Sequence, residues 1–190
     1  YEMIVVDDGS RDQTSQTVLN YMTSHPSEPI LLLRLPKNMG KGFAVKQGIL
    51  RCRGRQILMA DADSATEISD LQKLQVALDR VVENRGSGQH GFAVGSRAHL
   101  AQGVVRERKW YRNVLMHGWH FLVQHIAGVT HINDTQCGFK LFTRETAKLL
   151  FLNLKIDRWC FDIDMFQIAM KLKIPHVEVP VNWREIEGSK

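Results

Sequence analysis

The sequence predicts an α/β domain built on a doubly wound, mainly parallel sheet with helices on both faces. Three observations carry that reading. Short apolar runs bounded by turn residues recur along the chain, stretches with helical spacing of apolar side chains separate them, and acidic clusters follow two of the runs. Strands alternating with helices imply crossover connections, which lay successive strands in parallel. In such sheets ligands gather outside the carboxyl ends of the strands. The acidic clusters lie there.

The first strand is Met3 to Val6, in a stretch where five of the first six residues are apolar. It runs into Asp7, Asp8, Gly9 and Ser10. Two adjacent carboxylates repel one another, so a cation or hydrogen-bond donors must sit opposite. Asp-Gly-Ser is also ordinary turn chemistry. Asp12 to Tyr21 reads as a helix with Asp12 at its N-cap, ended by His25-Pro26. Pro29 to Leu35 is a short buried strand, Gly42 to Leu50 a helix, and Gln56 to Ala60 a third strand. Ser69 to Glu83 is a long helix with Leu71, Leu74, Leu78, Val81 and Val82 on its apolar positions. Phe92 to Ser96 is the next strand, after the loop "RGSGQHG".

The second half is less regular. Val104 to Ala127 has helical tendency, and "HINDTQCGFKLF" reads as a loop entering a short strand. Thr143 to Leu152 and Asp162 to Leu172 are expected to be helices, with "HVEVPVNW" as a closing strand. Neither an internal repeat nor a low-complexity linker interrupts the chain, so residues 1–190 are expected to form one domain.

At 190 residues and 44% hydrophobic content the chain is long enough to bury a core without staples. Cys52, Cys137 and Cys160 form no CxxC pair, and their odd number fits reduced, buried thiols in a cytosolic setting. No apolar run reaches eighteen residues, and no signal peptide is visible. The first residue is Tyr1, inside a strand, so an N-terminal part is expected to precede it. The net charge of +5 is modest. Its placement is informative, because Arg106, Arg108, Lys109 and Arg112 surround Trp110 and Tyr111. That cluster suits a nucleotide, a phosphorylated substrate or a lipid head-group surface. Nucleic acid is not expected as a partner, since no nucleic-acid motif occurs and the aromatics form no stacking platform.

Three motifs bear on chemistry. "MADAD" places Asp61 and Asp63 two apart after a strand, where a turn can bring both carboxylates to one ion. Hard oxygen ligands with room left for phosphates describe Mg²⁺ or Mn²⁺ bridging a diphosphate. "NMGKGFAVKQG" sets Gly40 and Gly42 at a helix entrance, where N–H groups favour anions. Lys41 there is placed to meet a phosphate or the Asp7–Asp8 pair, and GxxxxGK[ST] is absent, so this is not a P-loop. His117, His120 and His125 have no HExxH or Cys partner pattern for zinc and read as polar positions on an amphipathic helix.

"IVVDDGSRDQT", "NMGKGFAVKQG", "MADAD", "VGSR", "DTQCGFKLF" and "RWCFDIDMFQIA" occur in that order over essentially the whole chain. Together they resemble glycosyltransferase family 2, with the GT-A fold. The resemblance implies inverting transfer of glucose from UDP-glucose to dolichyl phosphate for protein N-glycosylation, and "DTQCGFK" is the segment that favours glucose. The alternatives are mannose transfer from GDP-mannose, another polyprenyl phosphate acceptor, or a non-catalytic nucleotide-sugar-binding membrane scaffold. The family's first strand, its "PAYNE"-like loop and an N-terminal membrane helix are absent from these residues, leaving a central sheet position vacant. The resemblance also implies a catalytic domain at the endoplasmic reticulum membrane, on its cytosolic side.

By the same resemblance, Asp7 and Asp8 hold the uridine end of the donor, and Lys41 counts with Asp61 among the donor-binding residues. Asp61 faces ribose and diphosphate, and Asp63 ligates the metal. Asp162 matches the position where hydroxyl-accepting relatives place their base. A phosphate acceptor with a second pKa near ~6 is already a nucleophile, which leaves Asp162 a positioning or weak-base role. Its other reading is a helix N-cap, with Asp164 as the fallback. For the acceptor phosphate the candidates are Arg97, Arg112 and Lys140, since a guanidinium fork suits phosphate oxygens. Arg106, Arg108 and Lys109, with Trp110 and Tyr111, suit lipid head groups at a membrane surface, the other reading being a solvated basic helix.

Overall fold

The computed structural model describes residues 1–84, 89–100 and 132–184. In chain order these form β1 (Met3–Asp7), α1 (Thr14–Ser24), β2 (Ile30–Arg34), α2 (Lys41–Ile49), β3 (Gln56–Ala60), α3 (Leu71–Asn84), β4 (Phe92–Ser96), β5 (Phe139–Thr143), α4 (Arg144–Asn153), α5 (Phe161–Lys171) and β6 (His176–Pro180). The strand bounds of β3 and β4 fall where the apolar runs placed them. The helix between Val104 and Ala127, its basic-aromatic cluster with Arg112, and the three histidines lie outside the described residues.

Helix starts moved for local reasons. The Asp12 carboxylate accepts from Thr14 N at 3.0 Å and Thr14 Oγ1 at 2.5 Å. That turn precedes α1 instead of capping it, and Gln13 holds the N-cap position. A 3-10 turn, Ile68–Asp70, leads into α3. Thr143 caps α4, accepting from Thr146 N. Asp162, read as a cap, lies one residue inside α5, behind Cys160.

Strands β1 and β2 pair in parallel as a two-stranded sheet. The other four form a sheet in the order β3-β5-β4-β6. Here β4 and β6 are parallel, but β5 runs antiparallel to both its neighbours, so this sheet is mixed. The cause is the path between β4 and β5. Ala60, at the carboxyl end of β3, pairs with Phe139, where β5 begins. The chain that leaves β4 after Ser96 therefore re-enters the sheet at the same rim.

Helices cover both faces of the four-stranded sheet. On one, Phe92, Val94, Ile57, Met59 and Phe142 pack against Ile49 of α2, Leu150 and Phe151 of α4, and Met165 and Phe166 of α5. On the other, Ala93, Phe139, Leu141 and Val179 meet Leu74 and Leu78 of α3. Alternation along β4 sends Phe92 and Val94 to one face and Ala93 to the other. Phe92 stacks on Phe142 with centroids 5.5 Å apart. Helix α2 joins the two sheets: Gly48 lies against Val6 of β1, while Ile49 enters the core over Ile57.

Candidate active site

The carboxyl ends of β1, β3 and β4 and the amino end of β5 carry the site. At the end of β1, Asp7 is buried and accepts from Ser10 N at 2.8 Å and from the Ser15 hydroxyl. Asp8 accepts from Met39 N at 2.7 Å and Gly40 N at 2.9 Å. The donors that the adjacent carboxylates require are thus hydroxyls and backbone amides. Asp8 holds the loop ahead of α2, where Gly40 takes φ +103°, a conformation glycine adopts without strain. Beside Asp7 lies a cavity of about 360 Å³ whose lining includes Ser10, Arg11, Arg34, Lys37 and Asn38.

Lys41 does not meet the Asp7–Asp8 pair. As the first residue of α2 it reaches across to Asp61 Oδ2 at 2.8 Å, with its ammonium 5.6 Å from the centroid of the Trp159 ring. Trp159 is 66% exposed in the loop before α5. In the sequence it is visible only as part of "RWCFDIDMFQIA", two residues before the helix begins.

Asp61 and Asp63 share one solvent-facing turn after β3. The Asp61 N–H donates to Gly138 O at 2.9 Å, and Asp63 Oδ1 accepts from Ala65 N at 3.0 Å. Gly138 is required by close approach: a Cβ there would lie 2.0 Å from Asp61 Oδ2. Among the described residues, no third His, Cys, Asp or Glu joins the pair as a protein metal cage. Two hard oxygen donors at an open rim fit Mg²⁺ or Mn²⁺ completed by phosphate oxygens and water.

At the end of β4, Arg97 forms a bidentate pair with Asp134, Nε to Oδ2 at 2.7 Å and Nη2 to Oδ1 at 2.9 Å. Its backbone N–H donates to the same carboxylate. The guanidinium also lies 5.4 Å from the centroid of the Trp183 ring. Glu178 fixes the Asp134 loop, accepting from Asp134 N and from both Asn133 nitrogens. Asp134 was legible only as part of "DTQCGFK", and Trp183 only as the end of the closing strand.

Lys140 corrects an expectation. Its side chain is fully buried, and its ammonium donates to Asp162 Oδ1 at 2.6 Å and Cys137 O at 2.7 Å. It therefore presents no charge at the open rim for an acceptor phosphate. Asp162 is buried beside it. Burial pushes the Asp162 carboxyl up, against the pull of Lys140, and Lys41 and Asp61 act on it more weakly. Asp164 accepts from Lys155 N and Ile156 N and anchors the Trp159 loop. Burial also pushes the Cys137 thiol up to about 11, so it is an inert thiol, and all three cysteines are unpaired.

The two groups of charges feel one another. Arg97 is raised, chiefly by its hydrogen bonds to Asp134, and Asp61 adds to that field. Asp7 is held below the ordinary carboxylate range by the Ser15 hydroxyl and Ser10. Asp134 is held low as well, because Arg97 outweighs burial. A carboxyl with a lowered folded pKa stabilises the fold above its unfolded value, near ~3.9, and that contribution is lost as pH falls through the folded value. Scanning calorimetry between pH 6 and pH 2 is therefore expected to show Tm falling below about pH 4. The fall should be shallower in Asp7→Asn, and an unchanged slope would remove Asp7 from the acid response.

A mixed sheet covered by helices, with an acidic turn facing a helix N-terminus across the rim, is the GT-A architecture. Solved structures share it: glucosyl-3-phosphoglycerate synthase from Mycobacterium tuberculosis, in complex with phosphoglyceric acid, superposes with a TM-score of 0.62 at 13% identity, covering 100% of this chain and 62% of that one. The same enzyme with Mn²⁺, uridine diphosphate and glucosyl-3-phosphoglycerate gives 0.56 at 15% identity, over 97% and 61%. The chain belongs to glycosyl transferase family 2, whose model matches residues 1–148. It is 50% identical to dolichyl-phosphate beta-glucosyltransferase of Drosophila melanogaster over 190 residues, all of this chain and 57% of that protein. The chain thus spans little more than half the length of the curated relatives it matches.

Proposed function

We propose that the protein transfers glucose from UDP-glucose to dolichyl phosphate with inversion, giving dolichyl β-D-glucosyl phosphate. The observation that carries this reading is the rim itself. A solvent-facing Asp61–Asp63 turn with Lys41 stands on one side of β5 and Arg97 on the other. One side suits a metal-bound diphosphate, and the other suits a second anion. The half-identical relative supports the choice of substrates.

The uridine end of the donor enters beside Asp7, in the cavity that Asp8 helps shape through the loop it holds. Asp61 and Asp63 would hold Mg²⁺ or Mn²⁺, the latter present with uridine diphosphate in the mycobacterial enzyme. When bound, the ion stabilises charge on the UDP leaving group. Lys41, at the N-terminus of α2, adds a cation and the positive end of the helix dipole for the diphosphate. Arg97 receives the acceptor phosphate. That phosphate, with a second pKa near ~6, attacks the anomeric carbon without a strong base. Asp162 accordingly acts in positioning, as the buried partner of Lys140. In-line attack opposite the leaving diphosphate converts an α-linked donor into a β-linked product. Among the described residues no helix is long and apolar enough to cross a membrane. We place the lipid-facing surface at Arg106, Arg108, Lys109, Trp110 and Tyr111, and the protein on the cytosolic face of the endoplasmic reticulum.

The test is a donor screen with radiolabelled UDP-glucose and GDP-mannose against dolichyl phosphate, with and without EDTA. The expected result is a metal-dependent glucolipid from UDP-glucose alone. Product from GDP-mannose alone would reassign the donor. UDP binding by calorimetry that is insensitive to EDTA would remove the metal.

A further inference from the structure

Arg97 is held by two neighbours on different elements. Asp134 engages the Nε–Nη2 edge of its guanidinium, leaving the Nη1–Nη2 edge outside that pair. The Arg97 side chain is 32% exposed, whereas that of Asp134 is only 11% exposed. Trp183 lies against the guanidinium and is itself tied to the Asp63 turn. Thr66 and Trp183 form an antiparallel bridge, and Arg184 N donates to Ala65 O at 2.9 Å. Ala65 N in turn donates to Asp63. A continuous set of contacts therefore runs from the acidic turn after β3, through Trp183, to the arginine at the end of β4.

We propose that Asp134 and Trp183 are positioning residues that set the outward edge of Arg97 at a fixed offset from the Asp61–Asp63 turn, so that the acceptor phosphate is presented to the donor sugar. The proposal rests on the reading that Arg97 receives that phosphate. A guanidinium on a flexible stem is a poor locator unless its plane is fixed, and a carboxylate on one edge with an indole against it fixes that plane. In-line attack needs the reacting atoms about 3–3.5 Å apart, so a tilt of the arginine is felt in the reaction.

Asp134→Asn is the informative change. Its amide can accept from one side of the fork only and turns N–H groups toward the other, so the guanidinium is expelled from its plane while its charge remains. In full-length protein the expected result is a rise of at least about tenfold in KM for dolichyl phosphate, the scale of one mispaired charged hydrogen bond. UDP affinity should stay within about twofold, since no donor-side group is altered. Trp183→Ala should act in the same direction, and Trp183→Phe, which keeps an aromatic face, should restore wild-type KM. Arg97→Lys is the reference. If it leaves acceptor KM unchanged, the phosphate reading of Arg97 fails and takes this proposal with it. If Arg97→Lys raises KM while Asp134→Asn and Trp183→Ala do not, the positioning proposal alone is overturned. Equal losses for donor and acceptor together with a lowered Tm would make Asp134 a structural staple only and also overturn it. Should Asp134→Asn fail to fold, the Trp183→Ala and Trp183→Phe pair decides the matter by the same readings.

Discussion

Lys140→Met is expected to destabilise the protein by about 3–5 kcal/mol in urea unfolding, among the largest single-residue effects here. Lys140 is wholly enclosed and Asp162 nearly so, and their 2.6 Å contact satisfies both charges. Methionine fills similar space but leaves the carboxylate without its cation, and an uncompensated buried charge costs far more than the pair contributes. The variant should respond by keeping Asp162 protonated. With a folded pKa above the unfolded one, the variant's deficit relative to wild type is smallest at low pH and grows as pH rises toward neutrality. Adding Asp162→Leu to Lys140→Met should recover most of the loss, since an apolar pair replaces an ion pair at little cost. A loss below about 1 kcal/mol for Lys140→Met would mean that the pair is hydrated, and would return Asp162 to consideration as a base.

Gly138→Ala should do the reverse, sparing the fold and damaging the site. Glycine at this position has an ordinary backbone angle, so alanine introduces no strain of its own and restricts the unfolded chain slightly. The methyl group, however, would fall 2.0 Å from Asp61 Oδ2. The carboxylate must swing away, and its contact with Lys41 goes with it. Displacing a positioned group by about 1 Å costs on the order of 10²-fold in rate. The proposed glucosyl transfer is thus expected to fall by about that factor, with stability within about 1 kcal/mol of wild type. Steady-state kinetics and a thermal melt on one preparation check both halves. A rate near wild type would show that Asp61 is not needed where it stands.

How far the sequence was legible depended on whether a signal was local. The runs "QILMA" and "FAVGS" are apolar and bounded by turn residues, and β3 and β4 begin and end with them. The run "FKLF" marks a strand equally well, but nothing in an apolar run encodes direction, and β5 proved antiparallel to both neighbours. The acidic doublet announced that donors must face it, and Asp7 finds them locally in Ser10 and Ser15, yet those of Asp8 lie more than thirty positions away at Met39 and Gly40. Lysine is seldom fully buried. The sequence therefore offers Lys140 as a cation for the acceptor phosphate, because its partner Asp162 is brought to it only by the packing of α5 on the sheet. Asp134 and Trp183 carry no motif of their own; their meaning appears once Arg97 lies between them.

The reversed strand gives the chain a modular character. Because β4 ends and β5 begins at the same rim, the chain leaves and re-enters the sheet side by side, and the Arg97–Asp134 pair clasps the two ends. The sheet register, with Phe92 opposite Phe142, is set below that clasp. Loop-closure entropy grows only logarithmically, by about 0.6 kcal/mol for each doubling of length. A change in the number of residues between the two ends therefore costs the scaffold little closure entropy.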